Sequence, residues 1–126
     1  MYSVDVTGRL LLVPVVGTRE YELDGAFICE LGEIPAGFRT DGASLPRLLW
    51  PLLGSPFSPE IITAAVIHDY AYRFGAWPRH LADGVLFTRL VQDGVARGRA
   101  RLFWYGVTLF GWFYWRRCRY GRGING

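Results

Sequence analysis

Lysine is absent from this chain: all fourteen of its basic residues are arginine. Lysine codons are rich in A and T, so the absence fits a GC-rich coding sequence rather than a demand for guanidinium chemistry. Cysteine is scarce. Cys29 and Cys118 are too few for a disulfide framework and do not have metal-site spacing, which leaves a single bridge or two thiols open. Acidic residues are missing from all of residues 94–126, which hold seven arginines. Membrane-spanning length is lacking too. The uncharged stretch LFWYGVTLFGWFYW, residues 102–115, has 14 residues, against the roughly 20 that a span requires. The opening MYSVDVTGRLLLVPVV has no basic start and only a short, broken apolar run, so no secretion signal is expected.

What is present points to a folded domain. A length of 126 residues suits one domain over 1–126, able to bury a core without disulfides. Half the residues are hydrophobic and 16% aromatic, which excludes a disordered chain. Charge is divided unevenly. Residues 1–93 carry a net −4 and residues 94–126 a net +7, giving +3 overall. Such a basic block suits phosphate on nucleic acid or lipid, or forms a solvated rim beside a buried helix. No recognised nucleic-acid-binding motif accompanies it, so nucleic acid is a weak partner expectation.

The first third reads as strands. GRLLLVPVV is a β-rich run in which Pro14 suggests a sheet edge or bulge. REYELDGAFICEL alternates in period two around Asp24-Gly25, a hairpin signal. IPAGFRTDGASLP reads as an ordered loop. Helices follow. Ser44 and Pro46 suit the start of a short one over LPRLLWPLLG. Ser58-Pro59-Glu60 opens a longer one that runs to Gly75, Pro78 opens a third, and a last helix spans about residues 99–117. In the third, Leu81, Val85, Leu86 and Leu90 fall near one face. Strands first and helices after argue an α+β fold, a small antiparallel sheet packed by three or four helices. The last helix is apolar all round, which implies burial inside the domain or against other subunits; its tryptophans and flanking arginines also suit a membrane surface. Arg99, Arg101, Trp104, Trp112, Trp115, Arg116 and Arg117 form the candidate basic and aromatic contact surface.

A polar centre is expected where the long helix presses on the core. His68 and Tyr72 are four apart and share a face, while Asp69 stands four residues before Arg73, a ready ion-pair partner. Buried polar groups need partners, and Thr40, Asp41, Ser44 and Asp83 are the candidates. Three chemistries use these residue types. His68 with Asp41, Asp69 or Asp83 could hold a divalent metal that activates water, although the spacing matches no standard zinc motif and His80, the other histidine, is expected in a loop. Ser44 could serve as a nucleophile with His68 as base and an aspartate, Asp41 or Asp69, as orienter, but GAS lacks the nucleophile-elbow pattern. Cys29 beside His68 is a third arrangement, in a strand where cysteine is normally just buried. The structural alternative is favoured: a network of Thr40, Asp41, Ser44, His68, Asp69, Tyr72, Arg73 and Asp83 that pins loop to helix.

The motifs GFRTDGASLP (residues 37–46) and AAVIHDYAY (residues 64–72), with Ala82-Asp83 and an aromatic, glycine-containing end, resemble a family of small phage- and prophage-encoded domains of unknown function. The resemblance covers about residues 30–112. It implies a phage or prophage origin and a shared role for Asp41, Ser44, His68, Asp69, Tyr72 and Asp83. Two functions follow as expectations. One is a non-enzymatic virion or tail component, in the virion or the host cytoplasm, that works through contacts with other phage proteins or with itself. The other is a metal-dependent hydrolase acting on the bacterial cell wall through a His/Asp centre.

Overall fold

The computed structural model describes residues 10–41, 47, 50–74 and 77–125, with the side chains of 52, 114 and 118–125 outside that description. The fold is α+β and divides into two compact units, residues 1–41 and 42–126.

Among the described residues, the first unit holds five short strands: β1 (Leu12–Pro14), β2 (Tyr21–Leu23), β3 (Phe27–Cys29), β4 (Gly32–Ile34) and β5 (Arg39–Thr40). They form two antiparallel sheets, β1-β2-β5 and β3-β4, rather than the expected single one. Pro14 sits in edge strand β1, where its missing N–H costs no ladder bond. Asp24-Gly25 is not a hairpin turn, because β2 and β3 belong to different sheets. The reason lies in the backbone bonds at the end of β2. Leu23 N–H donates to the Phe38 carbonyl, Gly37 N–H donates to the Leu23 carbonyl, and Asp24 N–H donates to the Leu11 carbonyl. Those groups are therefore committed to β1 and to the segment before β5, and the chain crosses to a new sheet. That segment was expected to be loop throughout; Arg39 and Thr40 instead pair with Glu22 and Tyr21. Among the described residues, Leu23, Ala26, Phe27, Ile34 and Phe38 are the buried apolar ones of this unit.

The second unit holds α1 (Trp50–Leu53), α2 (Ile62–Phe74), α3 (Arg79–Gln92) and α4 (Arg97–Asn125). Helix α2 begins three residues later than Pro59, after a turn in which the Ser58 carbonyl accepts from the N–H groups of Ile61 and Ile62. Its expected stop, Gly75, lies outside the described residues, as do Ser44 and Pro46. Pro78 stands at the N-cap of α3. The far end of α3 closes in a Schellman motif: Gly94 N–H donates to the Val91 carbonyl and Val95 N–H to that of Leu90. Gly94 has φ +103°, a conformation that favours glycine, and so lets the chain reverse into α4.

Leu53, Ile61, Ala64, Ala65, Leu86, Leu90, Val95, Ala100, Phe103 and Val107 make one core cluster among these helices. Leu86 and Leu90 are buried whereas Leu81 is largely exposed, so α3 turns a narrower apolar face inward than its spacing suggested. Arg99 fastens α4 to α1, its Nε and Nη2 donating to the Leu53 carbonyl at 2.9 and 2.6 Å. Helix α4 is not buried all round. Ala100, Phe103 and Val107 face the core, while Leu102, Tyr105, Leu109, Phe110, Trp112 and Phe113 are exposed.

The two sides of α4 and its partners should respond differently to truncation. Leu90→Ala opens a cavity in the core and should cost about 2–5 kcal/mol in urea denaturation. Leu109→Ala, on the open side of α4, should stay within about 0.5 kcal/mol of the parent.

Candidate functional site, a buried His–Asp–Tyr cluster

Helical spacing brings His68 and Tyr72 one above the other on α2, their ring centroids 4.2 Å apart. Both face α3, where Asp83 occupies the first turns. The Asp83 Oδ1 atom accepts from the Tyr72 hydroxyl at 2.6 Å and lies 2.7 Å from His68 Nε2. Oδ2 of the same carboxylate lies 3.9 Å from Arg79 Nη1, one helical turn earlier on α3. Arg79 reaches onward. Its two terminal nitrogens donate to the Thr108 carbonyl of α4 at 3.2 and 3.1 Å, and Nη1 also donates to Val107 at 3.4 Å. One anion thereby connects α2 to α3 and, through an arginine, to α4.

His68 is 0% exposed and Asp83 3%. His68 meets Asp83 through Nε2, which leaves Nδ1 on the far side of the ring. That Nδ1 has no hydrogen-bond partner, and neither does the buried Thr108 Oγ1. Such a group costs about 1–3 kcal/mol when dry, so the Asp83 bonds must outweigh it. Burial raises the Tyr72 pKa far above its ordinary 10.0, reinforced by the hydrogen bond to Asp83 and by its negative charge. Tyr72 is therefore a donor throughout the physiological range.

Glycine completes the packing. A Cβ on Gly111 of α4 would stand 2.6 Å from the Tyr72 hydroxyl oxygen, so only glycine permits this approach. Four residues on, Trp115 meets the Tyr72 ring edge-on with centroids 5.2 Å apart. Trp115 thus packs inward, and Arg99 is held on Leu53; neither belongs to the outer face of α4. Arg101, Trp112, Arg116 and Arg117 are exposed, while Trp104 is half-buried.

The other described sequence candidates are each placed within their own unit. Asp69 is fully buried on α2 and pairs with Arg73 at 3.8 Å. Thr40, buried, and Asp41, half-buried, belong to the strand unit at the end of β5. Ser44 lies outside the described residues. Cys29 is half-buried in β3, and the Cys118 side chain is not described. His80 is in α3 rather than a loop, and exposed. No group of three or more His, Cys, Asp or Glu able to hold a metal occurs among the described residues. Arg79 and Gly111 escaped the sequence reading. The signal for Arg79 was its position four residues before Asp83.

These units define a small α+β module whose helices are joined through a buried polar cluster. The chain belongs to the family described as "Protein of unknown function (DUF1353)", whose model matches residues 18–107. It is 31% identical over 78 residues to the uncharacterized protein y4jT of Sinorhizobium fredii, covering 62% of this chain and 23% of that one. It is 37% identical over 73 residues to the uncharacterized protein y4iH of the same organism, covering 58% of this chain and 30% of that one. The matches thus span less than a third of either relative. No solved structure matches.

Asp83→Ala would leave His68, Tyr72 and Arg79 facing a vacancy and should cost about 3–5 kcal/mol. Tyr72→Phe removes one bond and should cost only about 1 kcal/mol. Thermal unfolding of the two variants checks that order. Alkaline titration checks the phenol. Because the folded pKa lies above the unfolded 10.0, the neutral phenol's contribution is complete below pH 10.0 and declines as pH rises above it. Ultraviolet difference spectra should show at least one of the seven tyrosines ionising only as the chain unfolds.

Proposed function

We propose that this chain is a non-enzymatic docking module, in which the His68–Asp83–Tyr72 cluster braces the helices so that the outer side of α4 meets a partner. One contrast carries the reading. Among the described residues, the histidine that meets Asp83 is wholly buried, whereas six large apolar side chains stand exposed on α4. Chemistry requires access to substrate; docking requires exposed apolar surface on a firm support. The likeness of the GFRTDGASLP and AAVIHDYAY motifs to phage and prophage domains supports a setting in a virion or tail, whose components work by contact.

A cell-wall hydrolase with a divalent metal is the second reading, favoured by one observation: Nδ1 of His68 is buried with no hydrogen-bond partner. Elemental analysis separates the two. The docking module should carry no stoichiometric metal; zinc or manganese that is present in the parent and lost in His68→Ala would replace it with the hydrolase.

The docking reading has its own test in cells that make the protein from its natural locus. The parent should fractionate with particles or envelope. Leu109→Asp and Phe113→Asp, both at exposed positions, should move to the soluble fraction with melting temperature unchanged. Fractionation unaltered by either substitution would sink the proposal.

A further inference from the structure

Taking α4 as the contact element, we infer that the surface it meets is an anionic lipid bilayer, with the helix lying in the interfacial plane. The observation is the pattern of the outer side. From Leu102 to Phe113 every large exposed side chain is aliphatic or aromatic, over about 17 Å at 1.5 Å per residue. Exposed arginines close this band at both ends, Arg97 and Arg101 before it and Arg116 and Arg117 after it. The Arg116 guanidinium lies over the Trp112 ring, 5.0 Å from its centroid, so cation and apolar band are continuous there.

Charge selects among the occupants. A second copy would set arginine against arginine: in parallel, Arg101 meets its own equivalent; antiparallel, Arg101 meets Arg116. Residues 94–126 supply no acid to offset this. The face therefore calls for an apolar surface bordered by anions. A bilayer of acidic phospholipid supplies both along any direction in its plane. Leu109 and Phe113, 67% and 66% exposed, enter the acyl boundary; Tyr105 and Trp112 sit at the headgroup level; the arginines extend to phosphates. The inner side of α4 stays on the core, so no polar face is needed opposite the lipid. Crossing is not involved, since no described helix is long and apolar enough to span a membrane.

The test is co-sedimentation of the full chain with vesicles of phosphatidylcholine alone, or of phosphatidylcholine and phosphatidylglycerol in equal parts. The parent should bind the anionic vesicles, with a blue shift of tryptophan emission, and bind the neutral ones far less. Leu109→Asp and Phe113→Asp should each weaken binding by about tenfold or more. Arg101→Gln and Arg116→Gln should each weaken it about fivefold, on anionic vesicles only. Circular dichroism should show every variant folded, the positions being exposed.

Failure of the parent to sediment with anionic vesicles overturns the lipid assignment. If Leu109→Asp still shifts cellular fractionation, docking through α4 stands, and an acidic-rimmed protein surface takes the bilayer's place. A dimer in sedimentation equilibrium that Leu109→Asp dissolves, without vesicle binding, assigns the face to a second copy. Vesicle binding that survives both apolar substitutions overturns the lipid assignment and α4 as contact element together.

Discussion

The Asp83 carboxylate is the interaction on which the helical unit depends. A carboxylate taken out of water is costly unless donors surround it, and here they come from Tyr72 and His68 on α2, with the Arg79 charge on α3 close by. The arrangement is directional in a way that apolar packing is not. A helix of leucines can slide by one residue on its neighbour; one that must deliver a phenol and an imidazole to the same oxygen cannot. Arg79 extends the constraint by donating to two carbonyls of α4. The apolar cluster supplies bulk stabilisation, and the polar cluster fixes which helix positions meet.

Close approach of α4 follows from the same group. Tyr72 points its hydroxyl at Asp83, and this orientation places it under α4, where Gly111 leaves room and Trp115 closes over the ring. Small residue, hydroxyl and aromatic edge thus form one joint. Its effect is to hold α4 at a defined rotation about its own axis. Ala100, Phe103, Val107 and Gly111 look inward, and the opposite side can only look out.

Much of this was legible in the sequence, and the failures have physical causes. The four-residue spacing of His68 and Tyr72 fixed their shared face, and Asp83 was a candidate because buried polar groups need partners and it stands near the start of the next helix. Strand order was misjudged at Asp24-Gly25. A turn signal reports local φ preference, while pairing is decided by distant donors and acceptors, here those of Leu11, Gly37 and Phe38. Strand β5 was missed since two residues carry no readable alternation. Arg79 and Gly111 were overlooked for a different reason. Each acts on an element far away in sequence, and neither residue type announces its partner. In α4, periodicity failed because a helix apolar on every side has no polar face to mark which side turns outward.

That last ambiguity bears on how the module divides its labour. The family match, residues 18–107, contains His68, Tyr72, Arg79 and Asp83, and so the whole bracing cluster. Leu109, Trp112, Phe113, Arg116 and Arg117 fall beyond it. The inner and outer sides of α4 are therefore distinct parts of one continuous helix: Ala100, Phe103, Val107 and Gly111 are fixed against the core, and Leu102, Tyr105, Leu109 and Phe113 stand exposed. Burial of the inner stripe stabilises the fold; in the docking proposed above, burial of the outer stripe would come from a partner, because the two lie on opposite sides of the same cylinder. A rigid α4 lowers the ordering cost of that second burial, since the apolar side chains are already aligned before contact. In the docking proposed above, the polar cluster would contribute without touching whatever is docked.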